Sequence, residues 1–329
     1  MRDRTFPFLL ILVMALFFML SCGNGDDDDN DADAADDDDD DNDDDDNDDD
    51  DNDDANDDDN DDDDDTAPPG PLALTVMTYN ILFDFPNPEY DNWGIRKEQI
   101  AEIINFHAPD LVGLQEPLPW QTMALHDLCP GYAEVSIPLD PDAALFYKED
   151  RFTLLDQGHF WLSPHPERPS IGFGNFMPRY VTWAALHDNE SEQEFYFFNT
   201  HFDNTSPFQE TAAPMFLDMV EEIIGSSPVV ITGDFNSKPD TEAYAILTSG
   251  NSPGDFALTN SFDLAPDFDV RLAPGDEREY DPDHRIDHIF VASGDWDCSY
   301  WVVDMTRYGD PWRDPSDHLA MSADITLAQ

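Results

Sequence analysis

Forty consecutive residues, Asp26 to Asp65, are drawn from Asp, Asn and Ala alone, thirty of them Asp, and this run dictates where the chain can fold. It holds no apolar area worth burying, so nothing offsets the conformational entropy lost on ordering, and its like charges repel one another. It reads as a solvated spacer whose contour is limited to ~130 Å at ~3.3 Å per residue. Asp and Asn oxygens also suit Ca²⁺, but the turn-forming Gly of calcium loops is absent from the run. Any packed core must lie on one side of it.

On the N-terminal side, Arg2 and Arg4 precede an apolar stretch from Phe6 to Leu20. That is the length of a signal-peptide core and short of the ~20 residues a membrane-spanning helix needs. Met19-Leu20-Ser21-Cys22-Gly23 closes the stretch and resembles a lipobox, with Met19 where the usual pattern has Leu. The expected organisation is a lipoprotein signal peptide over 1–22 with Cys22 as the acylated anchor, a stalk over 23–71, and a catalytic domain over 72–329. An ordinary cleaved signal is the other reading. The lipobox implies export and anchoring to a lipid bilayer of the cell envelope. Cys129 and Cys298 are too few and too far apart for a zinc site or a disulfide framework, and either pair after export or stay free.

The 264 residues after the acidic run carry 44 acidic against 12 basic side chains, a formal charge of −32, and only Lys97, Lys148 and Lys238 are lysines. Binding a polyanion depends on Lys and Arg neutralising its phosphates, so this field disfavours nucleic acid unless a local patch or a metal compensates. The same balance suits a protein adapted to high salt.

Beyond Thr66-Ala67-Pro68-Pro69-Gly70-Pro71, β-rich runs alternate with amphipathic stretches over a length that suits one α/β domain. Strands are predicted at 74–81, 110–115, 144–147, 180–186, 194–200, 228–232, 285–292 and 321–327. Ile95, Ile100, Ile103, Ile104 and His107 recur at helical spacing, as do Phe216, Val220, Ile223 and Ile224. Many strands and few helices point to two packed sheets with outer helices.

Polar residues stand where these strands end: Asn80, Glu116, His201, Asp234 with Asn236, Asp287, and Asp317-His318. Strand ends commonly deliver functional groups, because the backbone is fixed there while the side chain is accessible. Singly, each has a structural explanation as a cap, a turn or a solvated end. Together they supply carboxylate oxygens for a hard divalent cation, amides to orient a phosphate, and histidines that exchange protons near neutral pH. That is the inventory of metal-assisted phosphate ester hydrolysis.

Met77-Thr78-Tyr79-Asn80-Ile81, Leu114-Gln115-Glu116, Asn199-Thr200-His201-Phe202, Gly233-Asp234-Phe235-Asn236, Arg285-Ile286-Asp287 and Ser316-Asp317-His318 resemble, in order, the motifs of the endonuclease/exonuclease/phosphatase family. Phe160-Trp161-Leu162-Ser163 and Pro178 to Ala184 resemble a bacterial, often exported branch of it. The resemblance implies a DNase I-like α/β fold, a four-layer sandwich of two packed mixed β-sheets flanked by helices. It implies that Glu116, with Asn80 and Asp317, binds Mg²⁺ or Mn²⁺. His318 would be the general base on water, oriented by Asp287, while His201, Asp234 and Asn236 hold phosphoryl oxygens and assist the leaving group. Arg179 would offer a cation to the phosphate.

His288 and the remaining histidines read as packing or surface, and Phe173, Phe176, Tyr308 and Trp312 as loop aromatics that could stack on a substrate. The expected function is a metal-dependent phosphoesterase, acting as a monomer on a small phosphate ester. The alternatives are a secreted nuclease and a non-catalytic surface module on the same fold. A calcineurin-like two-metal enzyme does not fit, because its early Asp-x-His and its Gly-Asn-His triplet are missing.

Overall fold

The computed structural model describes residues 70–173, 175–250 and 255–328. The signal-like segment, Cys22 and the acidic run lie outside the described residues. From Pro71 onward the chain builds two mixed sheets face to face. Strand β1 (Leu72–Asn80) pairs antiparallel with β13 (Ala320–Leu327) and parallel with β2 (Leu111–Gln115), with Asn80 opposite Gln115. The first sheet continues to β4 (Ala143–Lys148) and β3 (Tyr132–Val135) on one side, and to β12 (Trp296–Asp304) and β10 (Asp269–Arg271) on the other.

The second sheet runs β5 (Phe152–Trp161), β6 (Tyr180–Asp188), β7 (Gln193–His201), β8 (Val229–Asp234), β11 (Asp287–Ala292) and β9 (Thr259–Asn260). Strands β7 and β8 are parallel. One apolar cluster, including Leu74, Val76, Phe197, Ile289 and Val303, fills the space between the sheets. Two further clusters cover their outer faces. Helices α1 (Trp93–His107) and α2 (Pro119–Leu128) close the first sheet, and α3 (Phe208–Ile224) and α4 (Glu242–Ser249) close the second. This is the expected four-layer arrangement, in which every sheet face buries its apolar side chains. Among the described residues no helix is long and apolar enough to cross a membrane.

All eight expected strands form, within three residues of their predicted ends. Strands β3, β5, β9, β10 and β12 were not anticipated. β5 and β12 each carry a register shift, at Leu154/Asp156 and Cys298/Tyr300, which breaks the period-2 alternation that makes a strand legible. In α1 the expected stripe is shifted. Ile95 is exposed, whereas Arg96 joins Trp93, Ile100, Ile103 and Ile104 on the buried face.

A buried arginine is tolerated here because each nitrogen of its guanidinium donates to a carbonyl. Arg96 Nη1 donates to the carbonyls of Ile81 (2.7 Å) and Pro315 (2.9 Å), Nη2 to that of Leu82 (2.8 Å), and Nε to that of Asp91 (2.9 Å). The fork of donors suits this task as a single ammonium could not. It ties the exit of β1 to the loop entering β13.

Polar side chains also bridge the two sheets. Gln115 Nε2 donates to Asn199 Oδ1 (2.7 Å), and Asn199 Nδ2 donates to the carbonyls of Leu114 (2.8 Å) and Ala144 (2.9 Å). The strands come close only because residue 113 is Gly: a Cβ there would lie 1.9 Å from Thr232 Oγ1. Cys129 and Cys298 are buried in separate clusters and unpaired.

Candidate active site

The strand registers gather the predicted residues at one end of the sandwich. On the second sheet Asp234 is opposite both His201 on β7 and Asp287 on β11. On the first sheet Asn80 ends β1 and Glu116 follows β2. The two groups meet through a buried hydrogen bond from Asn80 Nδ2 to Asp234 Oδ2 (3.1 Å).

Asp234 is the hub. Its Oδ2 also lies 3.5 Å from His201 Nε2 and 3.6 Å from His318 Nε2, so three nitrogens surround one oxygen. Its Oδ1 accepts the Asn236 N–H at 2.9 Å, closing an Asx turn, and Asn236 takes φ +49°, a left-handed conformation Asn tolerates well. Asn236 Nδ2 donates to the Phe202 carbonyl (3.0 Å), so part of this amide is committed to holding the turn.

His318 Nδ1 is 2.8 Å from Asp287 Oδ2, which leaves Nε2 directed at the Asp234 side. Burial alone would lower the His318 pKa, but Asp287, with Asp234 and Asp317 beyond it, holds the imidazole well above its ordinary value. The loop is fixed by Ser316 Oγ, which donates to the Asn80 carbonyl (2.7 Å). Asp317 itself is exposed. Asp287 Oδ1 is buried without a partner.

Glu116 adopts φ +65°, and its Oε2 accepts the Phe83 N–H (3.2 Å), while the preceding N–H, of Leu82, goes to Asn80 Oδ1 (3.1 Å). A non-Gly residue in this region marks a position held by its surroundings. Burial raises the Glu116 pKa, His201 opposes this, and Asp317 and Asp142 add to it. This half-buried carboxylate beside two other carboxylates is short of positive charge. A hard divalent cation, which takes oxygen ligands, fits that donor set. A second group, Asp234, Asp287 and His318, brings its ligand atoms within 4.8 Å of one another.

Sequence reasoning missed Asp142. Its Oδ1 lies 3.1 Å from His201 Nδ1 and accepts the Glu116 N–H (3.1 Å), and its Oδ2 accepts from Arg179 Nη1 (3.3 Å). Arg179 therefore reaches the site through Asp142, and its buried Nε has no partner. Burial would raise the Asp142 pKa, but His201 and Arg179 hold it down to about 2. His201 is correspondingly raised: burial and Arg179 lower it, and Asp142 and Asp234 outweigh them.

The Tyr180 hydroxyl fixes the loop by donating to the Asp140 carbonyl and accepting from the Ala143 N–H. The only sequence signal was an acidic residue just before an apolar strand, in Asp140-Pro141-Asp142, which reads equally well as a turn. His288, next to Asp287, is buried packing: Nε2 meets the Ser237 carbonyl (2.8 Å), Nδ1 accepts from Asn260 Nδ2, and burial lowers its pKa to about 3.

A model of the Endonuclease/Exonuclease/phosphatase family matches residues 77–318. Among solved structures, an endonuclease/exonuclease/phosphatase family protein from Bacteroides thetaiotaomicron is 26% identical with a TM-score of 0.69, the match covering 79% of this chain and 99% of that one. A mannosyl-6-phosphatase from the same organism is 27% identical with a TM-score of 0.66, covering 77% and 99%. The human Nocturnin catalytic domain, solved with bound sulfate, shares the fold at 22% identity and a TM-score of 0.59, covering 78% and 94%.

Proposed function

The chain belongs to the endonuclease/exonuclease/phosphatase family, whose members are hydrolases acting on phosphoester bonds, and from that membership we propose that it is a divalent-metal-dependent phosphoesterase acting on a small phosphate ester. The observation that carries this reading is the convergence of Asn80, His201 and His318 nitrogens on Asp234, with Asp287 behind His318. Family membership supports metal dependence, and Mg²⁺ or Mn²⁺ would be held by Glu116 with Asn80 and Asp317. When bound, the ion supplies positive charge to offset the charge that develops on phosphoryl oxygens.

The side chains then divide the work. His318 Nε2 takes a proton from the attacking water, and Asp287 fixes the tautomer through Nδ1 and stabilises the imidazolium that results. Asn80 Nδ2 and His201 Nε2 offer donors to phosphoryl oxygens. Asp142 orients His201 from behind, as Asp287 orients His318. Arg179, paired with Asp142, adds positive charge behind His201. Asp234 and Asn236 hold these groups in register.

The charge of −32 beyond the acidic run favours a small ester over a polynucleotide. Likeness to a mannosyl-6-phosphatase points the same way. The test is hydrolysis by the full chain with Mg²⁺ or Mn²⁺, and again with chelator, of duplex DNA, single-stranded nucleic acid, bis-p-nitrophenyl phosphate and a phosphomonoester panel. Turnover that needs both metal and His318, with monoesters preferred, is expected. Metal-independent turnover, or full activity in His318→Ala, would refute the mechanism.

The lipobox-like Met19 to Gly23 supports a second proposal, that the protein is exported and held at a membrane of the cell envelope through Cys22. Cys22→Ala should release it from the membrane fraction, and continued firm attachment would refute the anchor.

A further inference from the structure

Next to the catalytic carboxylates, the segment joining β1 to α1 lines a groove of about 650 Å³. Resting on the phosphoesterase reading above, we propose that this groove receives the ester's leaving group, and that this group is a neutral, hydroxyl-bearing ring: a monosaccharide unit. The groove is continuous with the site through the backbone. Phe83, whose N–H donates to Glu116, stacks on Phe85, a lining residue, with ring centroids 4.4 Å apart and planes 21° from parallel. Tyr90, on the same wall, lies within electrostatic reach of Asp317.

The chemistry of the lining selects the occupant. Two carboxylates are fixed in place: Asp84 accepts the Trp93 N–H (3.2 Å) and the Trp120 indole N–H (3.3 Å), and Asp91 accepts the Tyr308 hydroxyl (2.9 Å). Each carboxylate has about four lone-pair sites, so acceptor capacity remains for ligand hydroxyls. Tyr90 lines the groove, and its hydroxyl can donate as well as accept. The half-buried Phe85 ring offers a flat apolar face on which the C–H side of a sugar packs by dispersion.

A second phosphate would be unwelcome. The arginines nearby are already committed, Arg313 to Asp91 and Arg96 to four carbonyls. A charged or polynucleotide leaving group would instead meet Asp84 and Asp91. A nucleobase could stack on Phe85, but it has fewer donors to satisfy two fixed carboxylates than a polyhydroxylated ring.

The test compares three phosphomonoesters on the full chain with Mg²⁺: a hexose 6-phosphate, ethyl phosphate and adenosine 5′-monophosphate. The binding of a methyl hexoside is measured separately by titration calorimetry. The hexose ester should exceed ethyl phosphate in kcat/KM by at least about tenfold, mostly through KM, since binding remote from the reacting centre is what the groove adds. Phe85→Ala, and the milder Tyr90→Phe, should shrink that ratio and weaken hexoside binding.

Equal turnover of hexose and ethyl esters, preference for the nucleotide, or a ratio unmoved in both variants would overturn the sugar subsite while leaving the phosphoesterase reading intact. Hexoside binding that Phe85→Ala abolishes, without turnover of any ester, would keep the subsite and overturn the catalytic reading. Neither binding nor turnover would overturn both.

Discussion

Arg96 is the residue whose removal tests the physical account of the site most directly, because it touches the machinery only through backbone. Replacing it with Met keeps volume and apolar stem but removes every donor. Leu82 O keeps a partner in Gln121 Nε2 (3.1 Å), and the half-exposed Asp91 can turn to water. The carbonyls of Ile81 and Pro315, both in buried residues, lose their donor. At about 1–3 kcal/mol per stranded buried acceptor the loss is roughly 2–6 kcal/mol, and relief from burying a guanidinium returns part of it.

The expected net destabilisation of Arg96→Met is therefore about 3 kcal/mol, read from urea unfolding by linear extrapolation. The two loops that Arg96 joins carry Asn80 on one side and Ser316-Asp317-His318 on the other. Loss of their mutual register should accordingly lower kcat by about 10² while changing KM much less, as small misplacements do. Arg96→Lys should recover less than half of the stability, because one ammonium cannot span carbonyls from four residues. Unfolding within about 0.5 kcal/mol of the parent, the range of an ordinary surface substitution, would refute the reasoning. So would a Lys variant that restores stability fully.

Two further expectations concern the histidine partners. Asp287→Asn removes the carboxylate that chiefly holds the His318 pKa up, so the acid limb of the pH–rate profile should move to lower pH. Plateau kcat should fall by about 10² or more as tautomer control is lost; an unmoved acid limb would count against His318 as the base. Asp142 has its folded pKa lowered to about 2 from 3.8, so the stability it contributes is present above the ordinary value and lost as pH falls through about 2. That is on the order of 2 kcal/mol. Asp142→Asn should make urea stability flatter than in the parent between about pH 4 and pH 2, and identical slopes would show that the carboxylate contributes nothing there.

Readable from the sequence alone were the expected partition at the acidic run, which lies outside the described residues, the eight strands rich in Val, Ile, Phe, Tyr and Thr, and the polar residues that end them. These are local properties: β-rich composition is read over a few residues, and a strand end delivers its side chain wherever the strand sits. Asn80, Glu116, His201, Asp234, Asp287 and His318 were legible for that reason, and their order resembled a family. Only the tertiary structure decided which atoms meet. The hydrogen bond from Asn80 to Asp234 spans 154 residues and exists because two sheets pack face to face. Asp142 stands beside Pro141 with only a turn-like local signal, and packing alone places His201, Glu116 and Arg179 around it. Arg96 interrupts the apolar residues on the buried face of α1, and nothing local reveals that four carbonyls converge on it. Strands β5 and β12 stayed hidden because bulges interrupt their period while their neighbours hold them in the sheet. Propensity acts between residues close in the chain, whereas the partner of a buried polar group is chosen by the packing of distant segments.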